Sequence, residues 1–280
     1  MDNAKIEAVL AQMGRPRRVN RPHRHFDGDY VDAPTGKVAY TAEGFGPTVL
    51  LVHGWDGSAR DMSDIALALD RAGARVIAMD LPAHGFSDGE KLTAEDAAAA
   101  ILALEAKEGP FEAVIAHSFG SPSTVLALEG GLKTKAVVLF APPLRQIDQF
   151  RRLGGRYGLE PDEIEETIVR LRAAGSTMDQ MDLGQKGARR SEPLLIIHSA
   201  DDEMTPIEGA RELAKAWPGA KLLEADGLGH NLTMRDAAMV GALSDSRLVE
   251  GSGTARVPAA MSDKLALLIL CARIGFNPPR

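Results

Sequence analysis

The chain has 280 residues, enough for one large domain or two small ones, and its 45% hydrophobic and 25% charged residues are ordinary for a soluble globular protein. A formal net charge of −7 gives no general electrostatic reason to bind nucleic acid, and the single cysteine, Cys271, excludes an intrachain disulfide. No run reaches the ~18 apolar residues of a membrane span; residues 1–12 carry Asp2, Lys5 and Glu7 rather than a signal-like apolar stretch, so a cytoplasmic protein is expected.

At the N-terminal end, Arg15, Arg17, Arg18, Arg21 and Arg24 are interleaved with Pro16, Pro22, His23 and His25. Charge runs are usually solvated, so residues 1–25 are expected to be an N-terminal extension, with contact to an anionic surface or a second subunit as the alternative. Residues 30–32 and 37–41 flank Pro34-Thr35-Gly36 and read as a hairpin at a sheet edge. From residue 48 onward, apolar strand-like runs alternate with helical patterns. Strands are expected at 48–52, 75–79, 112–116, 135–140, 194–198 and 221–225. Helices are expected at 58–72, 93–107, 119–128 and 207–217, with Thr93 and Asp96 at capping-box spacing. This alternation implies an α/β fold whose mostly parallel sheet is covered on both faces.

Between Pro143 and Pro193 the alternation stops, leaving helical patterns at 147–153 and 162–174 and no strand. A helical insertion of this kind reads as a small lid over the carboxyl edge of the sheet, where ligands bind. The expected organisation is an α/β core at 26–143 and 193–249, a helical lid at 144–192, and a C-terminal tail at 250–280 whose order is open. In that tail, Gly251-Ser252-Gly253-Thr254 reads as a linker and residues 265–270 as an apolar run.

Ala116-His117-Ser118-Phe119-Gly120 joins the 112–116 strand to the helix after it. A serine with small residues two positions away on each side, between strand and helix, fits a nucleophile elbow: the sharp turn presses those positions against neighbouring backbone and exposes the hydroxyl. The amide of Phe119, at a helix N-terminus, is placed to stabilise an oxyanion. On these five residues alone, an ordinary helix start capped by Ser118 fits as well. A serine nucleophile needs a base, and the base an orienting carboxylate. The 194–198 strand runs into Ser199-Ala200-Asp201-Asp202-Glu203-Met204-Thr205-Pro206, where two aspartates compete for the acid's place. The 221–225 strand runs into Asp226-Gly227-Leu228-Gly229-His230. After the first parallel strand, Val52-His53-Gly54-Trp55 allows a turn that aims the Trp55 amide inward as a second oxyanion donor. Asp80-Leu81-Pro82-Ala83-His84-Gly85-Phe86-Ser87 follows the next strand as a tight turn.

Over about residues 38–248 these segments, in this order and each at a strand end, resemble the α/β-hydrolase family, with Ala116 in place of the usual first glycine of the elbow. The resemblance implies Ser118 as nucleophile, His230 as base and Asp202, four residues before Pro206, as acid, with the amides of Trp55 and Phe119 as oxyanion hole. Trp55, Phe86 and Phe119 are candidates for an acyl pocket or, equally, for the core. His53 and His84 are expected to shape the cleft by hydrogen bonding, and the His117 side chain to point away from the base. No spacing argues for a metal site, and no phosphate or dinucleotide fingerprint argues for a cofactor. The expected activity is ester hydrolysis of a small acyl substrate through a Ser-His-Asp triad and an acyl-enzyme. A thioesterase, an amidase or peptidase, and a carbon–carbon bond hydrolase would use the same triad, and a non-catalytic ligand-binding protein would use the same fold. Arg145, Arg151, Arg152 and Arg156 in the lid allow either an anionic or an apolar acyl group, and oligomeric state is not legible.

Overall fold

A computed structural model describes residues 3–16 and 26–236 and the backbone of 255–256. The expected hairpin is β1 (Asp29–Ala33) and β2 (Gly36–Glu43). The expected parallel strands are β3 (Thr48–Val52), β4 (Arg75–Met79), β5 (Phe111–His117), β6 (Thr134–Phe140), β7 (Leu194–Ser199) and β8 (Lys221–Ala225). A further strand, β9 (Ala255–Arg256), lies in what reads from sequence as the tail, and pairs parallel with β8. The nine strands form one sheet in the order β1-β2-β4-β3-β5-β6-β7-β8-β9, parallel from β4 to β9 and antiparallel at the β1-β2 edge.

The central strands are apolar at consecutive positions because both faces are buried. On one face Leu50, Val52, Val114, Ala116, Val137, Leu139 and Ile196 pack under α3 (Ala94–Glu108), α4 (Gly120–Glu129), α7 (Leu183–Gly187) and α8 (Ile207–Ala216). On the other, Val49, Leu51, Ala113, Ile115, Val138 and Ile197 meet Ile65 and Leu69 of α2 (Ser63–Arg71). The helix α3 starts with the expected reciprocal cap, Asp96 N–H donating to Thr93 Oγ1 and Thr93 N–H to Asp96 Oδ2, both at 3.1 Å. The single helix expected at 58–72 is instead a 3₁₀ turn, Ala59–Met62, followed by α2. Side-chain carboxylates account for the tighter start: Asp61 accepts from Ser58 N–H at 2.9 Å and buried Asp80 from Ala59 N–H at 2.8 Å.

The insertion after β6 is helical, as α5 (Gln146–Arg156), α6 (Pro161–Ala173) and α7. Pro161 at the first turn of α6 fixes φ where no hydrogen bond is lost, and Arg170 and Arg172 sit at the negative end of the helix dipole. The N-terminal segment departs from the solvated extension expected of it. Residues Asn3–Met13 form helix α1, and its Ile6 and Val9 are buried with Phe150, Leu159, Ile164 and Ile168 in a cluster separate from the two faces of the sheet. Ile6, Val9, Leu10 and Met13 recur at helical spacing, a stripe overshadowed by the arginines that follow. Lys5 pairs with Glu163 of α6 at 2.5 Å. The stretch 17–25, the linker-like residues 251–254, the apolar run 265–270 and Cys271 lie outside the described residues.

Candidate active site

β5 ends at His117, and Ser118 turns the chain into α4 with a φ of 48°. That left-handed conformation costs a non-glycine residue on the order of 1–3 kcal/mol and persists only where its surroundings hold it. Here Ser118 N–H donates to Phe140 O of β6 at 2.9 Å. The two small neighbours have steric reasons. Ala116 is fully buried, flanked in register by Val52 of β3 and Leu139 of β6. A Cβ on Gly120 would lie 2.7 Å from His53 O and 2.8 Å from Val52 O. Gly54 closes the same gap from the other side, since its Cβ would lie 3.0 Å from Ser118 Cβ. The loop after β3 is therefore packed directly on the elbow. Among the described residues, the backbone N–H groups of Trp55 and Phe119 have no protein acceptor.

The three residues expected to act together are brought together. Ser118 Oγ lies 2.9 Å from His230 Nε2, and His230 Nδ1 lies 2.7 Å from Asp202 Oδ2. Asp202 is buried on the loop after β7, and its Oδ1 accepts from the N–H groups of Met204 at 2.8 Å and Thr205 at 2.9 Å. Thr205 Oγ1 donates to its Oδ2 at 2.7 Å. Burial would raise the Asp202 carboxyl, but the hydrogen bonds from His198 and His230 and from the Thr205 amide outweigh it and hold the group well below the usual carboxylate range. It is thus a fixed anion beside an imidazole that faces a hydroxyl. Such a chain can take a proton from the hydroxyl and return it to a leaving group.

Asp201, the competing aspartate, has a different place. Its Oδ1 accepts from Ser199 Oγ, from Gly227 N–H at 3.1 Å and from Gly229 N–H at 3.2 Å, so it ties down the loop that carries His230.

His53, His84 and His117 are neutral supports. Leu81 N–H donates to His53 Nε2 at 2.9 Å, so the ring proton is on Nδ1 and goes to Gly54 O at 2.7 Å. His84 receives Asp56 N–H at 3.2 Å and gives its Nδ1 proton to Pro82 O at 2.9 Å. Both join the loops after β3 and β4 as expected, and burial pushes both down to about 4. His117 does not point away from the base. Its ring centroid is 4.9 Å from that of His230, and its Nε2–H donates to His230 O at 3.1 Å. The last residue of β5 has its side chain on the same edge as the elbow, where the His230 loop closes over it. Burial, reinforced by His230, pushes His117 down to about 3.

Of the pocket candidates, Trp55 and Phe119 meet edge to face at 5.2 Å and are partly buried beside the elbow. The Phe86 ring stacks at 4.7 Å on Phe26. Two residues that sequence reasoning passed over touch the acid: Thr205, and His198 on β7, fully buried with Nε2 3.3 Å from Asp202 Oδ2. A histidine in an otherwise apolar strand, four residues before the acid, was the available signal. Among the described residues no group of three His, Cys, Asp or Glu could hold a metal ion, and no helix is long and apolar enough to cross a membrane.

A sheet of this order, with a serine, a histidine and an aspartate meeting at its carboxyl edge, defines the α/β-hydrolase fold. The model of the α/β hydrolase family matches residues 49–242, and the chain belongs to that family. Solved structures agree on the fold. An esterase of Pyrococcus furiosus superposes with a TM-score of 0.62 at 20% identity, covering 79% of this chain and 92% of its own. An esterase from Exiguobacterium antarcticum gives 0.57 at 16% identity, over 74% of this chain and 94% of its own. A meta-cleavage product hydrolase from Pseudomonas fluorescens IP01 gives 0.58 at 19% identity, over 74% of this chain and 92% of its own. No curated protein sequence matches the chain.

Proposed function

We propose that the protein is a serine hydrolase that cleaves carboxylic esters of small molecules. The observation that carries this reading is the unbroken chain Ser118 Oγ–His230–Asp202, with both links under 3 Å (2.9 and 2.7 Å) and the acid held ionised. Ser118 Oγ attacks the carbonyl carbon while its proton passes to His230 Nε2. The N–H groups of Trp55 and Phe119, which have no protein acceptor among the described residues, receive the oxyanion; each such donor lowers the barrier by about 3 kcal/mol in other enzymes. Collapse breaks the carbon–oxygen bond, and His230 returns its proton to the departing alkoxide. Water then gives a proton to His230 and its hydroxyl to the acyl carbon, freeing Ser118 and the acid product.

Esters are favoured because an alkoxide is an easier leaving group than an amine and a generic triad needs nothing further to expel it. Two of the similar structures are esterases and one is a meta-cleavage product hydrolase, which supports hydrolysis without choosing the bond. The test is a panel of p-nitrophenyl esters of increasing acyl length beside an acyl-CoA thioester and an anilide. Ester turnover that disappears in Ser118→Ala supports the proposal. Turnover confined to the thioester or the anilide moves the reading to a thioesterase or an amidase. A wild-type protein that turns over nothing and takes up no fluorophosphonate overturns it.

A further inference from the structure

His198 is not one of the three residues of the proposed triad, yet it is in contact with the acid. It stands one residue before the end of β7, fully buried. Its Nε2 lies 2.7 Å from Thr205 O and 3.3 Å from Asp202 Oδ2. Both neighbours are pure acceptors, so Nε2 carries the ring proton and shares it between them. Its Nδ1 has no partner among the described residues. An orphaned buried polar atom is a standing cost, and an apolar side chain on β7 would avoid it. What the histidine supplies in return is one proton aimed at the acid loop.

Around Asp202 the donors divide between the two oxygens. Oδ1 takes two backbone amides, of Met204 and Thr205. Oδ2 takes Thr205 Oγ1 and His230 Nδ1 as donors, and His198 Nε2, whose hydrogen bond goes to Thr205 O, stands 3.3 Å from it. Thr205 Oγ1 therefore bonds, and the His198 Nε2–H approaches, the same oxygen that faces His230. They draw negative charge away from the side of that oxygen turned to His230, and they fix its position.

We propose that His198 is a positioning residue of the active site: its Nε2–H, on the far side of Asp202, holds Oδ2 toward His230 and moderates how strongly that oxygen retains the His230 proton. The proposal rests on the triad reading and adds a fourth side chain to it. The charged and titratable groups around the pair are few. Asp202 lies on the acid loop, and His117 of β5 packs on His230. Glu224 of β8, opposite His198 in the sheet register, is engaged by Arg211 at 2.7 and 2.8 Å. Asp201 is turned to the glycine loop. None of these replaces the proton that His198 provides.

The test is the pH dependence of fluorophosphonate labelling and of p-nitrophenyl acetate kcat/KM in three variants. His198→Phe fills the space without a donor. His198→Gln carries an amide N–H near the position of Nε2, and His198→Asn reaches only as far as Nδ1. Without the donor, Oδ2 holds the His230 proton more tightly. The acid limb of both profiles then moves up by about half a pH unit or more, a loss of about threefold or more on that limb with near-normal rates in alkali. His198→Gln is expected to restore the wild-type limb. If His198→Phe does not fold, the Gln and Asn variants give the same comparison, Asn showing the shift and Gln not. Coincident acid limbs in wild type and every folded donor-free variant, with wild-type Ser118 labelled normally, overturn this role alone. An unlabelled wild type overturns the triad and this role together.

Discussion

The carboxyl edge of the sheet and the helices above it are held by different means. At the edge, short hydrogen bonds between buried groups and close glycine contacts leave few alternative positions. Ser118 is wedged between β3 and β6 at a positive φ, and Asp202 is bonded through both oxygens. In the cap, α1, α5 and α6 share a small apolar cluster of their own, bordered by exposed ion pairs such as Arg151–Glu165 at 2.7 Å. One link from cap to edge is the Arg156 guanidinium, which donates to Glu203 O at 3.1 Å and contacts the Met204 sulfur. The edge is fixed by buried hydrogen bonds, and the cap by a small apolar cluster and exposed ion pairs.

Each way of breaking this contrast has an expected size. The largest is chemical: Ser118→Ala should lower ester kcat on the order of 10⁶-fold, as removal of a triad serine does elsewhere, with an unchanged melting curve. The next concerns the buried histidines of the edge. His53, His84 and His117 are depressed in the fold to about 4, 4 and 3 by burial. The unfolded chain binds their protons below the ordinary histidine value of about 6.5 and the folded chain does not. Stability is therefore intact above that pH and falls as pH drops toward about 4, with an upper slope of about 4 kcal/mol per pH unit for the three together. Asp202 is held below the ordinary carboxylate value, so it adds to the loss only at the acid end of this window, where the unfolded carboxylate begins to take up a proton that the folded one refuses. Urea melts between about pH 7 and pH 4.5 would show the decline; a flat profile would mean that these rings are hydrated.

In the cap, Ile168→Ala should cost about 2–4 kcal/mol locally, as other buried isoleucines do. Amide exchange should speed up in α1, α5 and α6 while the central strands stay protected. Equal loosening of the sheet would show that cap and core are one cooperative unit. The smallest effect is Arg151→Ala, which removes an exposed ion pair with Glu165 and should change stability by less than about 1 kcal/mol.

The sheet was legible because apolar runs buried on both faces have no other explanation. The turn at Ser118 and the loops that carry Asp202 and His230 were legible because each falls where a strand ends. What escaped the reading escaped for physical reasons. His198 stands out by type in Leu194–Ser199, but its contact with Asp202 exists only once the loop after β7 folds back over it. The direction of His117 depends on where the loop after β8 lands, which no local pattern encodes. The inward stripe of α1 is four apolar residues in a short helix, and its partner lies about 150 residues away.

The central claim is that Ser118 is the nucleophile. Its most direct test is to treat the native protein with a fluorophosphonate, digest it and map the adduct by mass spectrometry. The account predicts one adduct, on the hydroxyl of Ser118, absent when the protein is denatured before treatment and absent in His230→Ala. An adduct on another residue, or none on a protein that hydrolyses esters, would contradict it.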